Sequence, residues 1–190
     1  DPGAAAALAR RFEAEGADIL DIGAESSRPG AQELDPAEEL RRLLPCLRAV
    51  RAATGLPISV DTYHASVAEA ALEAGADAVN DIWGLRRDPD MAAVVARAGC
   101  PLIAMHNQRG RTFHNVAGDI AAGFEATLAI ASSAGIPPER IILDPGFGFG
   151  WTPEQNLEML RRLPELWRFD LPLLVGTSRK STIGLVLDAP

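Results

Sequence analysis

Short apolar runs alternate along the chain with longer stretches whose apolar residues recur every three or four positions. Runs at 18–22, 57–61, 77–81, 101–105, 140–144 and 171–176 have the length and apolar content of strands. The stretches at 4–14, 36–53, 65–74, 89–98, 117–134 and 153–163 carry helical spacing, and a last helix is expected to start near Arg179. Three helical stretches end in related phrases, EAEGAD, LEAGAD and ARAGCP. These put Gly16, Gly75 and Gly99 where a helix ends on a left-handed residue. Pro36, Pro89 and Pro153 fall in first turns, where a missing N–H costs nothing. The repeated unit is therefore strand, loop, helix, Gly stop and next strand, which predicts a parallel sheet. Its strands are apolar on both faces, as expected of strands covered by helices.

Two architectures fit this pattern: a (β/α)8 TIM barrel and an open doubly wound sheet. The C-terminal ends of the runs carry polar residues: Asp21, Asp61, Asn80, His106, Asp144 and Ser178. In a barrel such ends converge on one pocket. In an open sheet they are strung along a line, with a single crevice at a switch point. Convergence accounts better for six polar ends, so the expected fold is an incomplete barrel with about six of its eight strands. The first and eighth strands are expected to be missing. They are neighbours in a closed barrel, so one continuous gap is expected beside the pocket.

Composition adds limits. The chain has 190 residues, 47% of them hydrophobic, enough for one domain with a substantial core. No apolar run approaches the ~20 residues that span a bilayer, and no signal-peptide pattern opens the chain, so no membrane association is expected. The formal charge of −8 argues against a nucleic-acid partner, which favours a basic face. Cys46 and Cys100 show no metal-binding spacing and read as reduced, buried thiols of a cytoplasmic protein.

Strand periodicity assigns directions to the polar ends. In ISVD the branched Ile58 and Val60 suit the layer beneath the helices, which turns Ser59 and Asp61 inward. The same logic turns Asp21 inward in DILD and Asp144 inward in IILD, and Asn80 shares parity with small Ala78. Inward carboxylates need cations, metal or ligand donors. The competing reading, that each Asp caps the helix after it, stays open at this level. Arg28 in ESSRPG and Lys180 in TSRKS supply cations near the same mouth, and a hydroxyl-rich loop beside a helix start suits phosphate. The GFGFG run at 146–150 is neither a Walker loop nor a dinucleotide fingerprint. It reads either as a flexible loop or as backbone that approaches a flat ligand closely. His64, His106 and His114 lack paired-ligand spacing, so no protein-built zinc site is expected. His106 is a candidate pocket residue.

The stretches GADILDIGAESSRPGA, PISVDTYHASVAEAALEAGADAVNDIWGL, PLIAMH, RIILDPGFGFGWTPEQNL and LLVGTSRKSTIG carry a resemblance. Together, and in this order, they resemble the dihydropteroate synthases of the pterin-binding barrel family. The resemblance runs across nearly all of residues 1–190, read as a single pterin-binding domain that begins after the family's first strand and ends before its last. It implies a transferase of folate biosynthesis and a sulfonamide target. Such an enzyme condenses 6-hydroxymethyl-7,8-dihydropterin diphosphate with p-aminobenzoate and releases pyrophosphate. By position, Asp61, Asn80, Asp144, Lys180 and Met105 would bind the pterin, with Asp61, Asp21 and Lys180 as the catalytic groups. Ser27 and Arg28 would hold phosphate, and Pro29, Phe149 and Ser181 would line the p-aminobenzoate site. The resemblance implies no metal held by the protein alone, Mg2+ bound mainly through the substrate diphosphate, and a homodimer when full length. The chain departs from the family at Ser27, where Thr is usual, at His64, where Lys or Arg is common, and at Trp151, where Lys is common. A folate methyltransferase of the same fold family and an inactive pterin-binding or partner-binding module are the alternative readings.

Overall fold

In the computed structural model, which describes residues 1–26 and 32–188, five strands pair in chain order into one parallel sheet. The strands are β1 (Leu20–Ile22), β2 (Ile58–Asp61), β3 (Ala78–Asp81), β4 (Leu102–Met105) and β5 (Ile141–Asp144). The helices are α1 (Pro2–Ala14), α2 (Pro36–Arg51), α3 (Ala65–Glu73), α4 (Met91–Ala98), α5 (Val116–Ser133), α6 (Pro153–Arg162) and α7 (Ser181–Leu187). Strand order decides between the two architectures. A doubly wound sheet reverses direction at a switch point, whereas here each strand pairs with its predecessor and the order β1-β2-β3-β4-β5 never reverses. Right-handed crossovers then place every helix on one face. Neighbours accordingly pack in sequence, α1 on α2, α2 on α3, α3 on α4 and α5 on α6. The result is an arc of a (β/α)8 barrel.

The elements form for local reasons. In α2, Asp35 accepts from the N–H groups of Ala37 (3.0 Å) and Glu38 (3.1 Å), Pro36 occupies the first turn, and Leu43, Leu47 and Val50 form a fully buried stripe. In α6, Thr152 and Gln155 form a reciprocal capping box, with Gln155 N donating to Thr152 Oγ1 at 3.3 Å and Thr152 N to Gln155 Oε1 at 2.9 Å. Ile58, Val60, Val79, Leu102 and Leu143 point from the sheet into one apolar cluster with these helices. Gly16 and Gly75 follow helix ends at φ 92° and 107°, and Gly99 caps α4 at φ 62°, as the three repeated phrases imply.

Two expectations change. The run at 171–176 forms only an isolated parallel bridge, Leu143 to Leu173, not a sixth strand. Leu143 N donates to Pro172 O and Leu174 N to Leu143 O, each at 2.9 Å, but Pro172 has no N–H to extend a ladder. Helix α4 starts at Met91, so Pro89 precedes its cap Asp90 and is not in the first turn. No helix among the described residues is long and apolar enough to cross a membrane. The outer edge of β1 has no strand partner among the described residues. It opens onto a groove of about 410 Å3 lined by Leu8 and Phe12 of α1 and by Ile19, Leu20 and Asp21.

Candidate active site at the strand ends

The C-terminal ends of β1, β2 and β3 bring one set of side chains onto the inner face. Asp21 is level with Ser59, and Asp61 with Asn80. Paired residues of a parallel sheet share a face, and so do alternate residues of a strand. Ser59 Oγ donates to Asp21 Oδ1 at 2.6 Å, and Asn80 Nδ2 donates to Asp21 Oδ2 at 3.0 Å. Gly23 lets the chain leaving β1 pass over this group. A Cβ there would lie 3.1 Å from both the Cβ and the carbonyl oxygen of Asp61.

Strands β4 and β5 supply the other side of the mouth. Met105 is level with Asp144, and it packs with Tyr63, Ile82 and Phe149 in a small apolar cluster. Asp144 Oδ1 accepts from Gly146 N at 2.7 Å. The 146–150 loop then turns back over the mouth, with Gly146, Gly148 and Gly150 all at positive φ. Phe149 in this loop meets two cations, Lys180 Nζ 4.2 Å and Arg109 Cζ 4.6 Å from the ring centroid. The loop is held by Asn156, a buried amide on α6. Its Oδ1 accepts from Gly148 N at 2.7 Å, and its Nδ2 donates to Thr182 Oγ1 at 3.0 Å. One side chain thus fixes both the glycine loop and the start of α7, where Lys180 sits.

The electrostatics join the two halves. Burial pushes the Asp61 carboxyl up to about 8, with Asp21, Glu39, Asp81 and Glu25 adding like charge. Burial pushes Asp144 up to about 6, against the Gly146 N–H and the Lys180 ammonium. Lys180 is lowered, first by burial and also by Arg109, while Asp144 and Asp61 oppose the shift. Burial of the carboxyl raises Asp21 against the pull of its Ser59 and Asn80 donors, although more of the residue's surface than that of Asp61 meets solvent. Lys180 therefore acts on acids from both β2 and β5. Near neutral pH Asp144 is mainly ionised and Asp61 mainly carries its proton. Such a mouth sets acceptors and donors side by side, with charge held at its rim.

Not every candidate joins this group. Ser27, Arg28 and Pro29 lie outside the described residues, so the expected phosphate loop and part of the expected p-aminobenzoate site are not placed. Ser181 opens α7 next to Lys180 and is exposed. His106, a pocket candidate by sequence, is turned away from the mouth. It is 1% exposed, bonded through Nε2 to Gln108 Oε1 at 2.9 Å, and pressed against Gly123 of α5 and the Trp151 ring. Asp81 has the opposite parity to Asn80 and serves the backbone, accepting from Trp83 N at 2.8 Å and Leu85 N at 2.7 Å. Sequence reasoning missed Arg109 and Asn156. The capping-box phrase TPEQN could have flagged Asn156, since it places the amide one turn after the cap, on the face toward the loop. Nothing comparable marks Arg109.

Known proteins resemble the chain in sequence and in fold. The family described as pterin binding enzyme matches residues 1–190. The dihydropteroate synthase of Clostridium beijerinckii is 47% identical over 175 residues, which cover 92% of this chain and 65% of that protein. The chain thus spans just under two thirds of the length of this curated relative. A crystal structure of the dihydropteroate synthase of Clostridium difficile in the presence of pteroic acid superimposes with a TM-score of 0.92 at 46% identity, covering 95% of this chain and 69% of that one. The Xanthomonas albilineans dihydropteroate synthase with 4-aminobenzoic acid gives 0.95 at 39% identity, covering 99% and 69%.

Proposed function

The chain belongs to the family of pterin-binding enzymes, and we propose that it forms the pterin-binding part of a dihydropteroate synthase. The substrates are 6-hydroxymethyl-7,8-dihydropterin diphosphate and p-aminobenzoate, and the products dihydropteroate and pyrophosphate. The observation that carries this reading is the convergence of Asp61, Asn80, Asp144 and Lys180 on one strand-end mouth. A pterin offers adjacent N–H donors from its 2-amino group and ring nitrogen, and an ionised carboxylate accepts both. Asp144, with its position fixed by Gly146 N, suits that role. Lys180 faces the ring's carbonyl and N5 edge, and Met105 lies along the ring. Phe149 and Ser181 border the p-aminobenzoate site; the roles that the resemblance implies for Ser27, Arg28 and Pro29 fall outside the described residues.

In the reaction the methylene C–O bond breaks and its electron pair leaves with the diphosphate. The arylamine nitrogen then bonds to the methylene carbon and gives up a proton. Positive character grows on the pterin methylene as the bond breaks, and Asp21 stabilises it together with the ionised form of Asp61, whose share grows as pH rises toward about 8. No covalent bond to the protein is needed. Magnesium would assist as a counter-ion of the diphosphate, keeping most of its waters. No residue among the described ones is assigned to this ion. For the full-length enzyme we further propose a cytoplasmic homodimer. The unpaired thiols Cys46 and Cys100 suit a reducing compartment.

The test is pyrophosphate release by the full-length enzyme, which is expected to require p-aminobenzoate as well as the pterin diphosphate. Turnover indifferent to p-aminobenzoate but dependent on a corrinoid methyl carrier would favour a folate methyltransferase instead. Lys180→Ala is expected to weaken pterin affinity by about 10- to 100-fold through loss of a charge-assisted contact. Calorimetric titration with a pterin checks this, and an unchanged affinity would remove Lys180 from the site.

A further inference from the structure

Near enough to Asp61 for Glu39 and Glu25 to act on its charge, a second cluster gathers residues from three separate units: the loop after β1, the first turn of α2 and the cap of α3. Ligand atoms of Glu25, Glu39 and His64 lie within 4.8 Å of one another. We propose that these three side chains bind a single borderline divalent cation of the zinc and cobalt kind, at a site separate from any ion carried by a substrate.

The central residue is Glu39, which is 1% exposed. Its Oε2 lies 2.7 Å from His64 Nδ1, and its Oε1 is buried with no hydrogen-bond partner among the described residues. An idle carboxylate oxygen in the interior is costly unless a cation or donor meets it. With a neutral imidazole the two carboxylates hold a formal charge of −2, which a divalent ion cancels. The cation nearby on the Tyr63 ring, Arg87, is already engaged. It donates to Glu33 at 2.8 and 2.9 Å and also lies 5.3 Å from the Trp83 ring centroid.

The donor set has the right chemistry. One imidazole nitrogen and two carboxylate oxygens form a mixed set that suits borderline metals better than magnesium or calcium. Three protein ligands leave a position for water. Tetrahedral zinc with bonds of about 2.0–2.1 Å sets its ligand atoms about 3.3 Å apart, so the 2.7 Å contact of His64 with Glu39 opens slightly and wider spacings, all within 4.8 Å, close by small side-chain rotations. Outer-shell support is also in place. Tyr63 OH donates to Glu25 Oε1 at 2.9 Å and Leu34 N to Glu25 Oε2 at 3.0 Å, fixing that carboxylate while leaving lone pairs for a metal. His64 occupies the cap position of α3 but makes no cap bond. Asp88 Oδ2 accepts from Ala65 N at 2.8 Å in its place, which leaves the imidazole to face Glu39. The three ligands are far apart in sequence, which is why no motif spacing announces the site.

The experiment uses metal alone, without pterin or p-aminobenzoate, so it stands or falls independently of the synthase reading. The protein is stripped with a chelator and titrated with Co2+. Expected are saturation at a single ion per chain, a visible ligand-field absorption band, and displacement of that band by Zn2+. His64→Gln is expected to weaken binding by more than the roughly 10- to 100-fold typical of outer-shell changes. His64→Lys, which places a tethered ammonium where the ion would sit, is expected to abolish the band and keep the parent's melting temperature. Should Glu39→Gln fail to fold, the two His64 variants decide the matter. His114→Gln, at the exposed imidazole paired with Asp119, serves as the control and is expected to change nothing. Absence of saturable binding, an undiminished band in either His64 variant, or loss of the band in His114→Gln would overturn the site.

Discussion

Replacing Asp61 by Asn in the full-length enzyme is expected to lower turnover by about 100-fold or more while leaving the fold intact. The magnitude follows from losing one preorganised charge where positive character develops. The position of Asp61 explains why the effect is large: it ends β2 level with Asn80, beneath Gly23, and Lys180 acts on it from α7. The pH profile separates this role from a merely structural one. Burial and Asp21 hold the carboxyl near 8, and the ionised form is the stabilising one. Wild-type turnover is therefore expected to rise with pH and level off above about 8, and the variant to lack that rise. Stability runs in the opposite sense. The folded carboxyl sits above its unfolded value of about 3.9, so the folded state holds the proton more tightly. Asp61 thus lowers stability progressively between about pH 4 and about pH 8. Asp61→Asn is expected to match the parent's melting temperature at pH 4 and exceed it at pH 8. A variant that keeps full activity, or that melts early at both values, would rule out this assignment.

Gly146→Ala is expected to destabilise the chain by about 3 kcal/mol or more. Gly146 stands at φ 78°, where an L-residue costs about 1–2 kcal/mol. A Cβ there would also drive into the carbonyl oxygen of His106, and forced overpacking adds about 1–3 kcal/mol. A backbone carbonyl at the end of a strand cannot swing aside as a long side chain can. The chain must instead lift the 146–150 loop, and with it the N–H that anchors Asp144. The expected signature is a drop in melting temperature of about 6–12 °C, with pterin affinity reduced in whatever fraction stays folded. A melting temperature within a degree of the parent would show that the loop has more freedom than its contacts imply.

The barrel and the inner face of its mouth were legible because both follow from short periods. Alternation in ISVD turns Ser59 and Asp61 one way and Ile58 and Val60 the other, and the structure keeps that division. Glycine stops and proline starts marked most helix ends, since those residues act through their own backbone. The failures have a common physical origin in contacts between distant parts of the chain. His106 comes directly after β4, whereas Asp21 and Asp61 lie within their strands, and the absence of a side chain at Gly123 opens a slot that holds its ring beneath α5. Asn156 binds Gly148 and Thr182 across two loops. Glu39 meets His64 only once α2 and α3 lie side by side. At 171–176 the apolar run suggests a strand, but Pro172 interrupts its donors and leaves a bridge.

Because every strand docks beside its predecessor, the sheet can grow in the direction of synthesis, one unit at a time as the chain leaves the ribosome. The acidic mouth would then assemble on a schedule. Asp21 emerges first and stays hydrated until Ser59 arrives with β2. Only when Asn80 follows with β3 are both its oxygens satisfied. Lys180, the counter-charge for Asp61 and Asp144, comes last. Until then the growing arc holds Asp61 and Asp144 without the ammonium that later sits between them.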